Sequence, residues 1–251
     1  TADQFQGICQ ASAHTLNNIA YAACKGHPAA LNAIVSKLAD FTADQFQGIC
    51  QAQPHTLHEI AGAACRGHAE ALNAISSKLA DFTADQFHGI CQASEHTLNE
   101  ILVAASRGHP AALNAIAPKL AGFTADQLQG ICQASVNTLK EIAASAYKGH
   151  PEALNAIAPK LAAFTAEQFQ GICQASVHTL GFIVASAYKG YPEALNAITP
   201  KLAAFPLAEF QGICQASAHT LKNIALVAYR GHAEALQAVA PQLAIFSKED
   251  L

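Results

Sequence analysis

The chain is 251 residues long, 51% hydrophobic, with a formal net charge of -4. That apolar content is enough for a packed core, while no run approaches the ~20 residues of a membrane span and no stretch reads as a signal peptide. The acidic balance gives no global attraction to a polyanion, so nucleic-acid binding would require a local stripe of positive charge.

One period dominates. Residues 42–82 read TADQFQGICQAQPHTLHEIAGAACRGHAEALNAISSKLADF, and the pattern returns every 41 residues from Thr83, Thr124, Thr165 and Pro206, with a further frame at Thr1. A fixed period of this length is the signature of a stacked array whose units contact their neighbours. Counted from the phenylalanine, the repeats are 1–40, 41–81, 82–122, 123–163, 164–204 and 205–245, and 246–251 begins a seventh or a cap. Residues 1–251 are therefore expected to form a single repeat array.

In the first frame Thr1 precedes Ala2-Asp3-Gln4, an acidic first turn that marks a helix start. Phe5, Ile8 and Cys9 then share one face at i, i+3, i+4, which gives a short first helix over 2–10. Gly7 recurs in every copy, and because glycine inside a helix costs roughly 1 kcal/mol, close approach of another backbone is expected there. A turn over 11–14 leads to a second helix with Thr15 as N-cap, Leu16, Ile19, Ala20 and Ala23 inward, and Gly26 as its stop. His27-Pro28 open a third helix that is expected to bury Ala30, Leu31, Ile34 and Leu38. Later copies place Pro118, Pro159, Pro200 and Pro241 inside that helix, where a kink or break is expected. The fold class that follows is all-α: a right-handed superhelical solenoid of six 41-residue repeats with about three short helices each.

Cys9, Cys50, Cys91, Cys132, Cys173 and Cys214 recur at an apolar helix position, where cysteine acts as a small hydrophobe. Successive copies would lie about one helix diameter apart, ~10 Å, beyond disulfide reach. A reducing, intracellular setting is the expectation.

The copies differ most at an adjacent pair in the second helix: Asn17-Asn18, His58-Glu59, Asn99-Glu100, Lys140-Glu141, Gly181-Phe182 and Lys222-Asn223. One turn on, the series continues with Tyr21, Gly62, Val103, Ala144, Ala185 and Leu226, then Cys24, Cys65, Ser106, Tyr147, Tyr188 and Tyr229. Helical spacing puts positions 17, 21 and 24 on one side with 18 flanking. The stripe ends on a constant cation, Lys25, Arg66, Arg107, Lys148, Lys189 or Arg230, always followed by glycine and then by His27, His68, His109, His150, Tyr191 or His232. A cation beside the free N–H groups of a helix start suits an anion such as phosphate; it equally complements the dipole of the helix it ends. Exposed positions also drift, yet Gln4, Gln10, Asn32 and Lys37 hardly change between copies, which argues that the variable pair is under a different demand.

Other constellations carry less. Cys24-Lys25-Gly26-His27 has zinc-ligand spacing, but four copies replace the cysteine by serine or tyrosine, so no metal is expected. His14, His55, His96, His178 and His219, with Asn137 in the remaining copy, suit hydrogen bonding across a turn. No nucleophile, base and orienter recur together, and no Gly-rich phosphate loop or carboxylate pair appears; neither an enzyme nor a cofactor is expected.

Phe41-Thr42-Ala43-Asp44-Gln45 followed by Ile49 resembles the opening helix of transcription activator-like effector repeats and their bacterial relatives. Gly67-His68-Ala69-Glu70-Ala71-Leu72 with Ile75, and a proline as at Pro118, resembles their second helix, whose start faces DNA phosphate. Leu16-Asn17-Asn18-Ile19-Ala20-Tyr21-Ala22 is similar to the octotricopeptide-type repeats that bind RNA. Each match covers part of the 41 residues. In the effector family two reading residues occupy the loop after the first helix and a Gly-Gly pair follows, whereas here that loop is nearly constant (Ala52-Gln53 against Ala93-Ser94) and an extra helix precedes Gly67. Base reading is therefore assigned to the variable pair, with the loop residues Ala13, Pro54, Glu95, Val136, Val177 and Ala218 as a second candidate.

Residues and resemblance together lead to a modular nucleic-acid-binding array reading about one base per repeat, with double-stranded DNA as first partner, single-stranded RNA as second, and a nuclear or host-nuclear site of action if effector-like. Lysine suits guanine, asparagine adenine and glutamate cytosine, and six phosphate contacts would give a salt slope of roughly -5 on duplex DNA. The alternative is a protein-interaction scaffold, favoured by the acidic balance and by Tyr147, Tyr188 and Tyr229, since tyrosine is enriched at interfaces. No membrane partner is expected.

Overall fold

A computed structural model describes residues 1–12, 14–217 and 219–243, apart from the side chains of Ala2 and Gln10; the expected start of a seventh repeat at 246–251 lies outside the described residues. The period predicts one array, and the chain forms two compact units, Thr1–Phe123 and Thr124–Leu251, of three repeats each. The first unit comprises α1 (Ala2–Ala11), α2 (His14–Cys24), α3 (Ala29–Ala39), α4 (Ala43–Ala52), α5 (His55–Cys65), α6 (Glu70–Ala80), α7 (Ala84–Ala93), α8 (Thr97–Ser106) and α9 (Ala111–Ala121). The second comprises α10 (Ala125–Ala134), α11 (Thr138–Tyr147), α12 (Glu152–Ala163), α13 (Ala166–Ala175), α14 (Thr179–Tyr188), α15 (Glu193–Leu202), α16 (Leu207–Ala216), α17 (Thr220–Tyr229) and α18 (Glu234–Leu243). Among the described residues every regular element is a helix, three to a repeat.

Local chemistry sets the ends of these helices. Thr42 Oγ1 accepts from Gln45 N–H (3.2 Å) and Gln45 Oε1 accepts from Thr42 N–H (2.9 Å), a reciprocal capping box that satisfies two otherwise orphaned donors. The same box opens α1, α7, α10 and α13, and Pro206 replaces it at α16. The second helix of each repeat ends differently. Gly67 takes φ +98°, a left-handed conformation that suits glycine, so that its N–H reaches Ala64 O (3.0 Å) and His68 N–H reaches Ala63 O (3.1 Å). These paired bonds make a Schellman stop, repeated at Gly26, Gly108, Gly149, Gly190 and Gly231.

In each unit every helix packs on its counterpart three elements further along, the order of an all-α solenoid: α2 on α5 on α8 and α3 on α6 on α9, then α11 on α14 on α17 and α12 on α15 on α18. The second and third helices make the close layers. In the middle repeat of unit one, Leu57, Ile60, Ala61, Leu72, Ile75 and Leu79 are completely buried. The phenylalanine of a first helix packs on the one that opens the next repeat, as Phe46 on Phe82 at 6.4 Å between ring centres. The first helices touch each other lightly and leave open grooves, such as the one lined by Gln6, Asp44 and Gly48.

Several local expectations are corrected. No other backbone approaches Gly7, Gly48, Gly89, Gly130, Gly171 or Gly212; a Cβ at any of them would meet nothing within 4 Å, and no packing need explains the glycine. Thr15 is not an N-cap: it lies inside α2, and its counterparts Thr56, Thr97, Thr179 and Thr220 are fully buried with hydroxyls that have no partner. The third helix does not break at proline. Pro118 sits within α9, which runs on to Ala121, because a proline in the last turn removes one bond with little helix left to deflect. Ala30 is exposed and Ile34 half-buried, since α3 is covered on one side in its unit, whereas Ala71 and Ile75 of α6, covered on both, are buried.

Candidate functional site

The cation that ends the sequence stripe is the C-cap residue of the second helix. Lys25, Arg66, Arg107, Lys148, Lys189 and Arg230 are all exposed, each one residue before the left-handed glycine. The third helix then starts at a proline or alanine N-cap, Pro28, Ala69, Pro110, Pro151 or Pro192, none of which makes a side-chain cap bond. Cation, turn and uncapped N–H groups are thus consecutive in the chain. In four repeats the first turn of that helix also carries a carboxylate, Glu70, Glu152, Glu193 or Glu234.

The arginines also work within the fold. Arg107 donates from Nη1 to the carbonyl of Cys65, the last residue of α5 in the preceding repeat. Arg230 does the same to Tyr188 O at the end of α14 (3.1 Å), and Arg66 reaches Gly62 O in its own helix (2.9 Å). Each guanidinium has five N–H donors, so one such bond leaves others facing solvent. Arg230 also lies over the Tyr188 ring at 3.9 Å, Lys189 over Tyr147 at 5.3 Å and Lys25 over Tyr21 at 5.1 Å.

The variable pair lies at the seam between stacked second helices. Its first member faces the following repeat: a Cβ on Gly181 would meet Thr220 Oγ1 at 3.2 Å and Ser217 Oγ at 3.3 Å, and the His58 ring lies 6.3 Å from that of His96. Its second member lies toward the preceding repeat: Asn223 Nδ2 donates to Gly181 O (3.4 Å) and Phe182 meets Tyr147 with ring centres 6.3 Å apart, while the main-chain carbonyls of Glu59 and Glu100 accept from Cys24 Sγ (3.2 Å) and Cys65 Sγ (3.1 Å). Asn18 and Lys222 are exposed, Gly181 is buried, and Asn17, His58, Glu59, Asn99, Glu100, Lys140, Glu141, Phe182 and Asn223 are half-buried. Lys140 and Glu141 pair at 2.8 Å. Asn17 Oδ1 and His58 Nδ1 are buried with no hydrogen-bond partner.

In unit two these positions converge. Gly181, Phe182, Lys222 and Asn223, together with Tyr147 and Tyr188, line a cleft of about 380 Å³ between α14 and α17. Counted by repeat position, Gly181, Phe182, Ala185 and Tyr188, the variable positions of the α14 stripe, all line that cleft. The sequence signal for it is the Gly181-Phe182 pair, the one copy with no polar side chain.

The remaining candidates fall into place around this face. Of the loop residues, Pro54 and Val177 are half-buried, Glu95 and Val136 exposed, and Ala13 and Ala218 lie outside the described residues. His55 Nδ1 meets Ser94 Oγ at 3.1 Å, His178 Nδ1 meets Ser217 Oγ at 3.4 Å, and Ser176 Oγ donates to Asn137 Oδ1 (3.3 Å): the bond expected across a turn instead ties each repeat to the turn of the next. All eight cysteines are free and buried. Burial, aided by Glu59, pushes the Cys24 thiol up to about 11, and burial alone takes Cys214 up to about 12, so neither is a thiolate nucleophile near neutrality. Among the described residues no group of three or more His, Cys, Asp or Glu is placed to hold a metal ion, and no helix is long and apolar enough to cross a membrane. Compared with models of known protein families, with curated proteins and with solved structures, the chain matches none.

Proposed function

We propose that the chain is a non-enzymatic nucleic-acid-binding array in which each repeat neutralises one phosphate with the cation ending its second helix and offers seam side chains to a base. The observation that carries this reading is the recurrence, in all six repeats, of an exposed cation joined through a left-handed glycine to the start of the third helix. A helix start aims N–H groups and the positive end of the dipole outward, and a cation beside it adds a full charge. In unit two the stripe holds Lys140, Lys148, Lys189, Lys222 and Arg230 against Glu141, with Glu152, Glu193 and Glu234 in the first turns of the adjoining third helices. The unpartnered Asn17 Oδ1 and His58 Nδ1 support the same face, since a buried polar atom left unmet costs roughly 1–3 kcal/mol. The partial resemblance to effector repeats supports a phosphate at the start of the third helix, and the eight free thiols suit a reducing, intracellular site of action.

Spacing favours a single strand over a duplex. Packed helices stand about 8–10 Å apart, whereas a duplex strand advances about 3.4 Å per base along its axis. A register of one base per repeat is met most simply by an extended single strand whose bases are spread apart. Aromatic rings on the cation stripe point the same way, because base stacking on aromatic side chains is the usual device for single strands.

A protein-interaction scaffold is the second reading. It is favoured by the guanidinium bonds of Arg66, Arg107 and Arg230 to backbone carbonyls, by the glutamates at the third-helix starts, and by Tyr229, 91% exposed. Fluorescence anisotropy with labelled thymine-run DNA, uracil-run RNA and duplex DNA, each spanning six repeats, separates the readings. Salt-dependent binding of a single strand is expected; no binding of any of the three would leave the scaffold reading in its place.

A further inference from the structure

We infer that the cleft between α14 and α17 holds one unpaired purine of a bound strand, with guanine preferred; this rests on the nucleic-acid reading above and names the base one repeat reads. Gly181 forms part of the cleft wall. Every other repeat places a polar side chain there, Asn17, His58, Asn99, Lys140 or Lys222, and at Gly181 even a Cβ would press on Thr220 Oγ1 and Ser217 Oγ. The cleft encloses about 380 Å³, within the roughly 300–1,000 Å³ of small-ligand sites.

Its walls suit a flat, polar-edged ring. Phe182 and Tyr147 meet at 59° with ring centres 6.3 Å apart, so each keeps part of a face free, and Tyr188 adds a third ring. Lys189 over Tyr147 and Arg230 over Tyr188 place a cation at each of the other two rings, where the phosphates on either side of an inserted base would need neutralising. Edge recognition falls to Lys222 and Asn223. One Asn223 amide N–H donates to Gly181 O (3.4 Å), which leaves its second N–H and Oδ1 for a base edge. Lys222 is exposed at the rim and only donates. A lysine ammonium that can reach both the O6 and the N7 acceptor of one base favours guanine.

The chain contains no tryptophan, so a fluorescent purine can be followed without protein background. The test uses the full 251-residue chain with single-stranded thymine-run DNA, the same run carrying one central guanine, and their RNA counterparts; a third DNA carries 2-aminopurine at the centre. The guanine oligonucleotide is expected to bind about fivefold or more tightly than the uninterrupted run, and 2-aminopurine to be quenched on binding. Gly181→Asn, which puts at this wall position the residue of the first and third repeats, and Lys222→Gln should each bring the ratio between the two oligonucleotides to about one, with melting curves establishing that the variants fold. Equal binding of both oligonucleotides by the parent chain, or a guanine preference that survives Gly181→Asn, overturns the inference while phosphate binding stands. Failure of every oligonucleotide to bind overturns both.

Discussion

Replacing Arg107 separates the two demands on the cation row. Its guanidinium donates to the carbonyl of Cys65 at the C-terminal end of α5, where the last carbonyls of a helix lack intrahelical partners. A hydrogen bond from a charged donor contributes about 1.5–3 kcal/mol when buried, but Arg107 is exposed, and screening reduces the figure; adding the modest dipole interaction of 0.3–1 kcal/mol leaves about 1 kcal/mol. Arg107→Ala should therefore lower the melting temperature by about 2–4 °C and speed amide exchange at the end of α5 before other helices. It should also make the salt slope for a single-stranded oligonucleotide shallower by about 0.7, the share of one phosphate. Arg107→Lys keeps the charge but not the planar fork, so it should restore the slope and only part of the stability. Circular dichroism melts, hydrogen exchange and anisotropy across a salt series measure all three quantities. If Arg107→Ala moves neither the melt nor the slope, the cation serves neither as a tie between repeats nor as a phosphate contact, and the reasoning fails.

Three further outcomes follow from the packing and the thiols. Thr83→Ala removes the capping box of α7, in which Thr83 Oγ1 accepts from Gln86 N–H at 3.1 Å, and should cost about 1 kcal/mol in a urea melt; an unchanged midpoint would contradict the cap's role. Lys201, nearly buried, donates to Ala162 O (2.9 Å) at the end of α12, and Gln242 does the same job for Leu202 O (2.9 Å) one repeat on. Lys201→Ala should thus destabilise unit two by about 1–2 kcal/mol, and Lys201→Gln should recover most of it; equal losses would show that the bond is not what holds the position. Because burial raises the Cys24 thiol to about 11 and Cys132 and Cys214 to about 12, the folded state disfavours the thiolate. Stability from this source is complete below the ordinary thiol range and falls as pH rises from about 9 toward 12. Urea melts at rising pH, and slow native labelling by a thiol reagent with rapid labelling once unfolded, check this.

The architecture was legible because the repeat prints the same helix signals six times. Thr42 with Gln45, the Phe46-Ile49-Cys50 face and the glycine after Arg66 each state a local rule that the fold obeys. Where a signal had two physical meanings, sequence could not choose. Gly48 read as a site of close backbone approach and instead lies in an open groove; Thr56 read as a cap and is a buried first-turn residue. The constancy of Gln45 and of the Lys201 position reflects capping and inter-repeat bonds, so their failure to vary is a structural demand and says less about the variable pair than it first suggests. The stripe itself came from helical spacing alone, but its placement at a seam did not. That Phe182 and Asn223 face back while Gly181 faces forward depends on how one repeat stacks on the next, and the cleft arises only from that stacking.

The most direct test is the affinity of the intact chain for single-stranded thymine-run DNA measured against salt concentration. Six cations acting on six phosphates give a slope of about -4 in log affinity against log salt for a single strand, becoming shallower as cations of the row are removed one at a time. A flat response, or no measurable binding at low salt, would contradict the proposal that this row of cations is a phosphate-binding face.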